Sequence, residues 1–301
     1  PRAGTTAAAA SRDGAAAVVL ARGRTLTPAK PSADEGGKSM PQLYGNGLCS
    51  RSTSQWLMGA ADRTPCQTDN RLTELAEMTW TTEAFDDEVV VNGPIAASLH
   101  ITTTAQEAVL VARLTMVGPD GRSRELSTGL ASASFRAVDK AKSRIVDGIN
   151  LQPWHPYTKA SVLPVTPGEP MRVDVEIFPT AARVPKGWSL RLSVGTSDFP
   201  HAASPLPAAV AQQGGVLTVL HDAEHPSSVA IPFVGDAPGG GRSTGRPEAG
   251  PIHNDYGSGG DDGGNHAAGA PTLPATGGAG ALPGVVFVLA GAAALRRRRR
   301  S

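Results

Sequence analysis

Between about residue 88 and residue 235 the chain alternates apolar and polar side chains with period two. Ala97, Leu99 and Ile101 alternate with Ser98, His100 and Thr102. Val173, Val175 and Ile177 alternate with Arg172, Asp174 and Glu176, and Leu190, Leu192 and Val194 with Ser189, Arg191 and Ser193. A strand turns successive side chains to opposite faces, so the pattern predicts strands with one buried and one wet face. Further strands are predicted over 107–117, 125–136, 215–222 and 227–234. Turn signals such as Gly118-Pro119-Asp120-Gly121 and Pro185-Lys186-Gly187 separate some of them. No amphipathic helix pattern interrupts the run, which argues against parallel crossover units. The prediction is an all-β fold, an antiparallel jelly-roll β-sandwich of the galactose-binding-like kind with seven or eight strands. About 150 residues suffice for one such core.

Composition supports this and marks where the fold stops. Gly (35) and Pro (25) make up about a fifth of the 301 residues, and aromatic residues only 4%. The stretch 236–272 is rich in Gly, Asp, Ser and Pro, with Ile252 and Tyr256 as its large apolar side chains, too few to offset ordering entropy. It reads as a linker, and its acidic part, 257–265, lacks the ligand spacing of a calcium loop. The formal charge is +1, but without the five arginines at 296–300 it is −4, which argues against a nucleic-acid partner.

The C-terminus reads Leu273-Pro274-Ala275-Thr276-Gly277, then an apolar segment from Ala281 to Leu295, then Arg296 to Arg300. This resembles the LPxTG sorting signal of Gram-positive wall-anchored proteins. As a helix the apolar segment spans about 22 Å, short of the roughly 30 Å hydrocarbon core, and the arginines stay cytoplasmic. The segment thus reads as a transient membrane retention stop. The resemblance implies that a sortase, a cysteine transpeptidase, cuts between Thr276 and Gly277 and joins Thr276 to peptidoglycan, so the protein is secreted and anchored to the cell wall. Export also permits a disulfide between Cys49 and Cys66, the two cysteines of one loop ahead of the sandwich.

Several stretches resemble a known family. Val91-Asn92-Gly93-Pro94-Ile95, Leu114 to Gly121, Val175 to Ala181, Lys186 to Leu192 and Ser197-Asp198-Phe199-Pro200-His201 are similar to the C-terminal jelly roll of the X-prolyl dipeptidyl aminopeptidase and cocaine-esterase-like serine hydrolases. Cys49 to Arg71, Gln152 to Tyr157 and His221 to Ser227 resemble a secreted actinobacterial branch. Together the resemblance covers about residues 18 to 235. It implies a Ser-His-Asp triad on an α/β-hydrolase domain preceding the jelly roll, with Val18 to Leu26 as the join. The first residue is Pro1, and the expectation is that this chain is the C-terminal part of a longer protein. The expected organisation is a mostly irregular remnant of the inter-domain connection over 1–40, a Cys-containing loop region over 41–87, the sandwich over 88–235, the linker over 236–272 and the sorting signal over 273–301. The terminal segments are expected to be disordered apart from a short hydrophobic helix at the C-terminus.

Chemistry in the chain itself is sparse. A nucleophile elbow of the G-x-S-x-G type needs glycines flanking a serine on a tight strand-to-helix turn; the expectation is that the chain carries no such motif, so no triad and no catalytic residue is assigned. His221-Asp222-Ala223-Glu224-His225 gathers two imidazoles and two carboxylates, but a strand runs into it and Pro226 follows, so a structural turn is expected and no metal. Asp198, Phe199 and His201 follow a strand and could form a rim facing the hydrolase domain. Trp154, His155 and Tyr157 form the densest aromatic patch, open to two readings: stacking on a sugar or partner, or packing over the sandwich edge. No cofactor is expected. The function implied is the non-catalytic C-terminal domain of a wall-anchored serine hydrolase of Xaa-Pro dipeptidyl-peptidase or acyl-esterase type. The alternative is a stand-alone surface module binding carbohydrate or protein.

Overall fold

The structure is a computed structural model that describes residues 36–51, 53, 68–146, 148–202 and 206–234 in full, and the backbone of 15–21 and 25–27. All of these belong to one compact unit, Pro1–Pro247. The linker, the sorting signal with Leu273, Pro274, Ala275, Thr276 and Gly277, and the expected terminal helix lie outside the described residues.

Strands dominate. In chain order they are β1 (Ala15–Ala21), β2 (Thr25–Thr27), β3 (Gly37–Pro41), β4 (Met78–Thr81), β5 (Val89–Thr103), β6 (Val109–Val117), β7 (Ser123–Ser132), β8 (Arg144–Val146), β9 (Ile149–Gln152), β10 (Met171–Val184), β11 (Ser189–Gly195), β12 (Val216–Leu220) and β13 (Ser228–Pro232). Two short helices accompany them, α1 (Arg71–Glu74) and α2 (Leu206–Gln212). The main sheet runs β3-β12-β5-β13-β1-β2-β4-β11-β6-β7, β10 pairs with β5, and β8 and β9 form a separate hairpin. The single β2–β4 pair, Thr25 with Thr81, is parallel, and the other pairings are antiparallel. The result is an all-β sandwich.

The alternation read from the sequence builds the core. Leu99 and Ile101 on β5, Val173, Val175 and Ile177 on β10, Leu110 and Leu114 on β6, Leu190, Leu192 and Val194 on β11, and Trp80 on β4 are fully or almost fully buried and pack in one cluster. The two layers approach closely where β7 meets β10. A Cβ on Gly129 would lie 1.8 Å from the Glu176 carbonyl oxygen, so only glycine admits the contact. Ser127 Oγ also donates to the Phe178 carbonyl at 2.6 Å, beside the irregularity between Ile177 and Thr180.

Three expectations are corrected. The strand system starts well before residue 88, because β1 pairs along β13 and β2 along β1, while β3 and β4 join β12 and β11. The run of strands is interrupted by α2, a seven-residue helix whose Gln212 side chain accepts from the Val109 N–H at 3.1 Å. The third concerns the wet faces. On β6 both faces are buried, so Arg113 and Thr115 are as inaccessible as Leu114.

Candidate functional site

The second buried face of β6 belongs to a polar layer. Register places Arg113 opposite Ser193 of β11, Thr115 opposite Arg191, and Ser193 and Arg191 in turn opposite Thr79 and Thr81 of β4. On the other side an irregularity after Leu114 pairs Thr115 with Glu125 of β7. A sheet face this polar is stable out of water only if something satisfies it. Here α1, the turn after it and the segment 42–53 cover it.

Arg113 is the hub. Its guanidinium bonds Glu77, reaches Asp198 at 2.5 Å and lies 3.7 Å from Glu125; Arg113, Glu77 and Asp198 have no side-chain exposure. Glu74, three residues before Glu77, accepts from Ser123 and from Thr115 (3.3 Å) on one oxygen and from Arg191 (2.5 Å) on the other. Three carboxylates therefore face one fully buried guanidinium. Burial pushes the Glu77 carboxyl up to about 7 against the opposing pull of Arg113. Burial likewise raises Glu125, and the surrounding carboxylates hold Arg113 above its ordinary value despite its own burial.

The loop after β11 is tied into this hub. His201 Nδ1 lies 2.6 Å from Asp198 Oδ2, and Asp198 is almost fully buried, whereas Phe199 and His201 are half-buried. The Phe199–Pro200 peptide is cis, and the Phe199 ring lies 5.4 Å from that of Tyr44. The covering segment is held at many points. Leu43 N–H donates to Thr196 Oγ1 and Gly45 N–H to Ser197 Oγ, both at 3.1 Å; Arg51 donates to the Glu125 carbonyl at 2.8 Å; Thr73 Oγ1 donates to the Cys49 carbonyl. Gly47 has φ +132°, and a Cβ there would lie 2.7 Å from the Asp198 Cα. Ser50 Oγ donates to the Gly47 carbonyl at 2.9 Å and sits 3.4 Å from Asp198. Cys49 is disulfide-bonded, and Cys66 lies outside the described residues.

The other sequence candidates are placed elsewhere. His155 is buried, with Nδ1 3.0 Å from the Ala137 carbonyl and Nε2 2.9 Å from that of Asp174, so it pins its loop to β10. Trp154 beside it is 52% exposed. These two are anchored on the β5–β10 layer, and Asp198 and His201 on the β6–β11 layer. His221 is buried edge-on to Trp80, and Asp222 accepts from the Glu224 and His225 N–H groups at 2.9 and 2.8 Å, closing a turn. Among the described residues no group of three or more His, Cys, Asp or Glu is placed to hold a metal ion.

Sequence reasoning passed over Arg113, Glu77, Glu125, Glu74 and Arg191. The available signal was a lone charge inside the run VLVARLTMV, with partners scattered over distant stretches. The G-x-S-x-G spacing itself does occur, at Gly241-Arg242-Ser243-Thr244-Gly245. It lies in the Gly- and Pro-rich stretch outside the described residues, and the sequence on either side, Asp236 to Gly240 and Arg246 to Gly250, lacks the apolar runs that an elbow's strand and helix require.

This layered arrangement has known counterparts. A crystallised CocE/NonD family hydrolase from Staphylococcus aureus superposes with a TM-score of 0.52 at 17% identity, covering 72% of this chain and 36% of that one. An aminopeptidase from a marine-sediment Thaumarchaeota archaeon gives 0.53 at 14% identity, covering 73% and 37%. At these identities the likeness is one of fold. In sequence, a provisionally named serine esterase of Mycobacterium bovis is 26% identical over 190 residues, 61% of this chain and 29% of the relative, and a Mycobacterium tuberculosis counterpart gives the same figures. The chain thus spans under a third of the length of these curated relatives. The family described as the X-Pro dipeptidyl-peptidase C-terminal non-catalytic domain matches residues 2–230, and the chain belongs to that family.

Proposed function

We propose that this chain is the non-catalytic C-terminal portion of a secreted serine hydrolase of Xaa-Pro dipeptidyl-peptidase or acyl-esterase type, anchored to a Gram-positive cell wall. The family match over residues 2–230 carries the first half of this reading. The 190 residues aligned with the serine esterase of Mycobacterium bovis are 29% of its length, which leaves room for a separate catalytic domain. Ser50 and Ser123 sit in structural hydrogen bonds, which supports a supporting rather than a reacting role for them.

The anchoring half rests on the order of Leu273-Pro274-Ala275-Thr276-Gly277, apolar segment and arginine tail. A sortase thiolate attacks the Thr276 carbonyl, the Thr276–Gly277 amide breaks, and the Gly277 amine leaves with a proton. A wall-precursor amine then displaces the thiol from the resulting thioester, joining Thr276 to peptidoglycan.

Two measurements test the two halves separately. The purified chain is expected to hydrolyse neither Xaa-Pro-nitroanilides nor short acyl esters and to resist fluorophosphonate labelling; stoichiometric labelling with turnover overturns the non-catalytic reading. In the producing cell, Thr276→Ala is expected to leave export intact and keep the protein in the membrane fraction. Its release by muralytic digestion with the parent's peptidoglycan fragment overturns the anchoring reading.

A further inference from the structure

The segment between β9 and β10 shows large aromatic rings to solvent while its backbone is held tightly. The chain has few such rings, four Trp, three Tyr and six Phe. Trp80 is fully buried, yet Trp154 is 52% exposed, Tyr157 60% and Phe178 61%. Phe178 lies on β10 two residues beyond Glu176, so the two share a strand face.

These rings are not on a loose loop. His155, between the two loop aromatics, is clamped by the carbonyls of Ala137 and Asp174. The Trp154 N–H donates to Ser143 Oγ at 3.0 Å, and its carbonyl accepts from the Asp139 N–H at 2.9 Å. Tyr157 has φ +49°, a left-handed conformation that L side chains rarely adopt, and its ring lies 5.8 Å from Phe135 and 5.6 Å from His155. Strained backbone of this kind persists where surrounding contacts impose it, and it concentrates at binding sites. A ring immobilised beforehand loses little entropy when a ligand stacks on it.

Hydrogen-bonding groups stand beside the rings. Lys142 Nζ is 5.8 Å from the Trp154 ring centroid. Gln152 Nε2 is 3.4 Å from Glu176 Oε1. Partial burial and then the Glu176 charge raise the Tyr157 phenol. Flat apolar surfaces next to an amide, a carboxylate and an ammonium match a pyranose ring, which has an apolar C–H face and an edge of hydroxyls.

We propose that the β9–β10 loop is a carbohydrate-binding platform, taking pyranose units of a polysaccharide on Trp154 and Tyr157, with Gln152, Glu176 and Lys142 as hydrogen-bonding partners. The site is separate from the Arg113 hub, and it depends on neither the catalytic partner nor wall anchoring.

The test uses the full chain in affinity electrophoresis and isothermal titration with three probes: chitohexaose, a soluble β-1,3-glucan and arabinogalactan. Saturable binding of at least one is expected, weakened at least tenfold by Trp154→Ala and by Tyr157→Gly. Glycine suits the left-handed φ, so the second variant removes the ring while relieving strain; Leu206→Ala, at an exposed position on α2, serves as the control. If Trp154→Ala melts early, saturation-transfer NMR on the parent reads the same contact, and transfer from aromatic protons to sugar C–H protons is the expected result. Failure of all three probes to bind saturably overturns the proposal, as does binding that survives both substitutions or lacks that transfer.

Discussion

His201 Nδ1 and Asp198 Oδ2 are 2.6 Å apart, and the other oxygen of that carboxylate is held by Arg113. A largely buried imidazole is therefore joined through one aspartate to a guanidinium at the centre of a sheet face. The loop after β11, the 42–53 segment and the turn after α1 all converge on the same charge.

Removing that charge is expected to be severe. Arg113→Met leaves Glu77, Glu125 and Asp198 buried without their cation, which should cost about 3–5 kcal/mol at pH 7. Urea unfolding of parent and variant measures it. The deficit should shrink at pH 5, where the stranded carboxyls take up protons; an equal deficit at both pH values contradicts the assignment.

Glu77 gives a pH dependence of definite sign. Its folded value near 7 lies above the ordinary 4.5, so the folded state holds a proton the unfolded chain has released between those values. Its contribution is fully present below about pH 4.5 and declines as pH rises through 7, by at most on the order of 3 kcal/mol. Glu77→Gln should flatten the fall in urea midpoint between pH 5 and pH 8. An unchanged slope rules Glu77 out as its source.

Gly129→Ala should destabilise strongly, because the new methyl meets the Glu176 backbone rather than a side chain that can swing aside. Overpacking of this kind costs about 1–3 kcal/mol or more. Ser127→Ala, which removes only the bond to the Phe178 carbonyl, should cost about 1 kcal/mol. Thermal melts of the two variants should rank in that order.

The disulfide at Cys49, which we expect to join Cys66, starts from the segment whose Gly47 and Ser50 pack on Asp198. Reduction should lower stability by about 3 kcal/mol. Neither cysteine should react with a thiol reagent in denatured, oxidised protein; reaction of both would remove the pairing.

The strands were legible because their alternation is local: Leu99, Val175 and Leu192 each announce a core face within five or six residues. The polar layer was not, since Arg113 is a lone charge inside the apolar run of β6, and only the tertiary fold brings Glu77 and Asp198 over it. Likewise α2 has too few turns for its period to show, and the short strands β1 to β4 depend on partners far along the chain. Asp198 and His201 were recognisable as a cluster, but the burial of Asp198 was not, because Gly47 and Ser50, which pack on it, lie about 150 positions earlier.

The pairing of β1 with β13 and of β2 with β4 bears on how the fold can be cut. A truncation starting at residue 88 would remove one of the two neighbours of each of β11, β12 and β13 and leave one edge of each unpaired. Such raw edges recruit other chains, so the shortened protein should aggregate, the more so because it also loses Met40, Met78, Trp80 and Phe85 from the core.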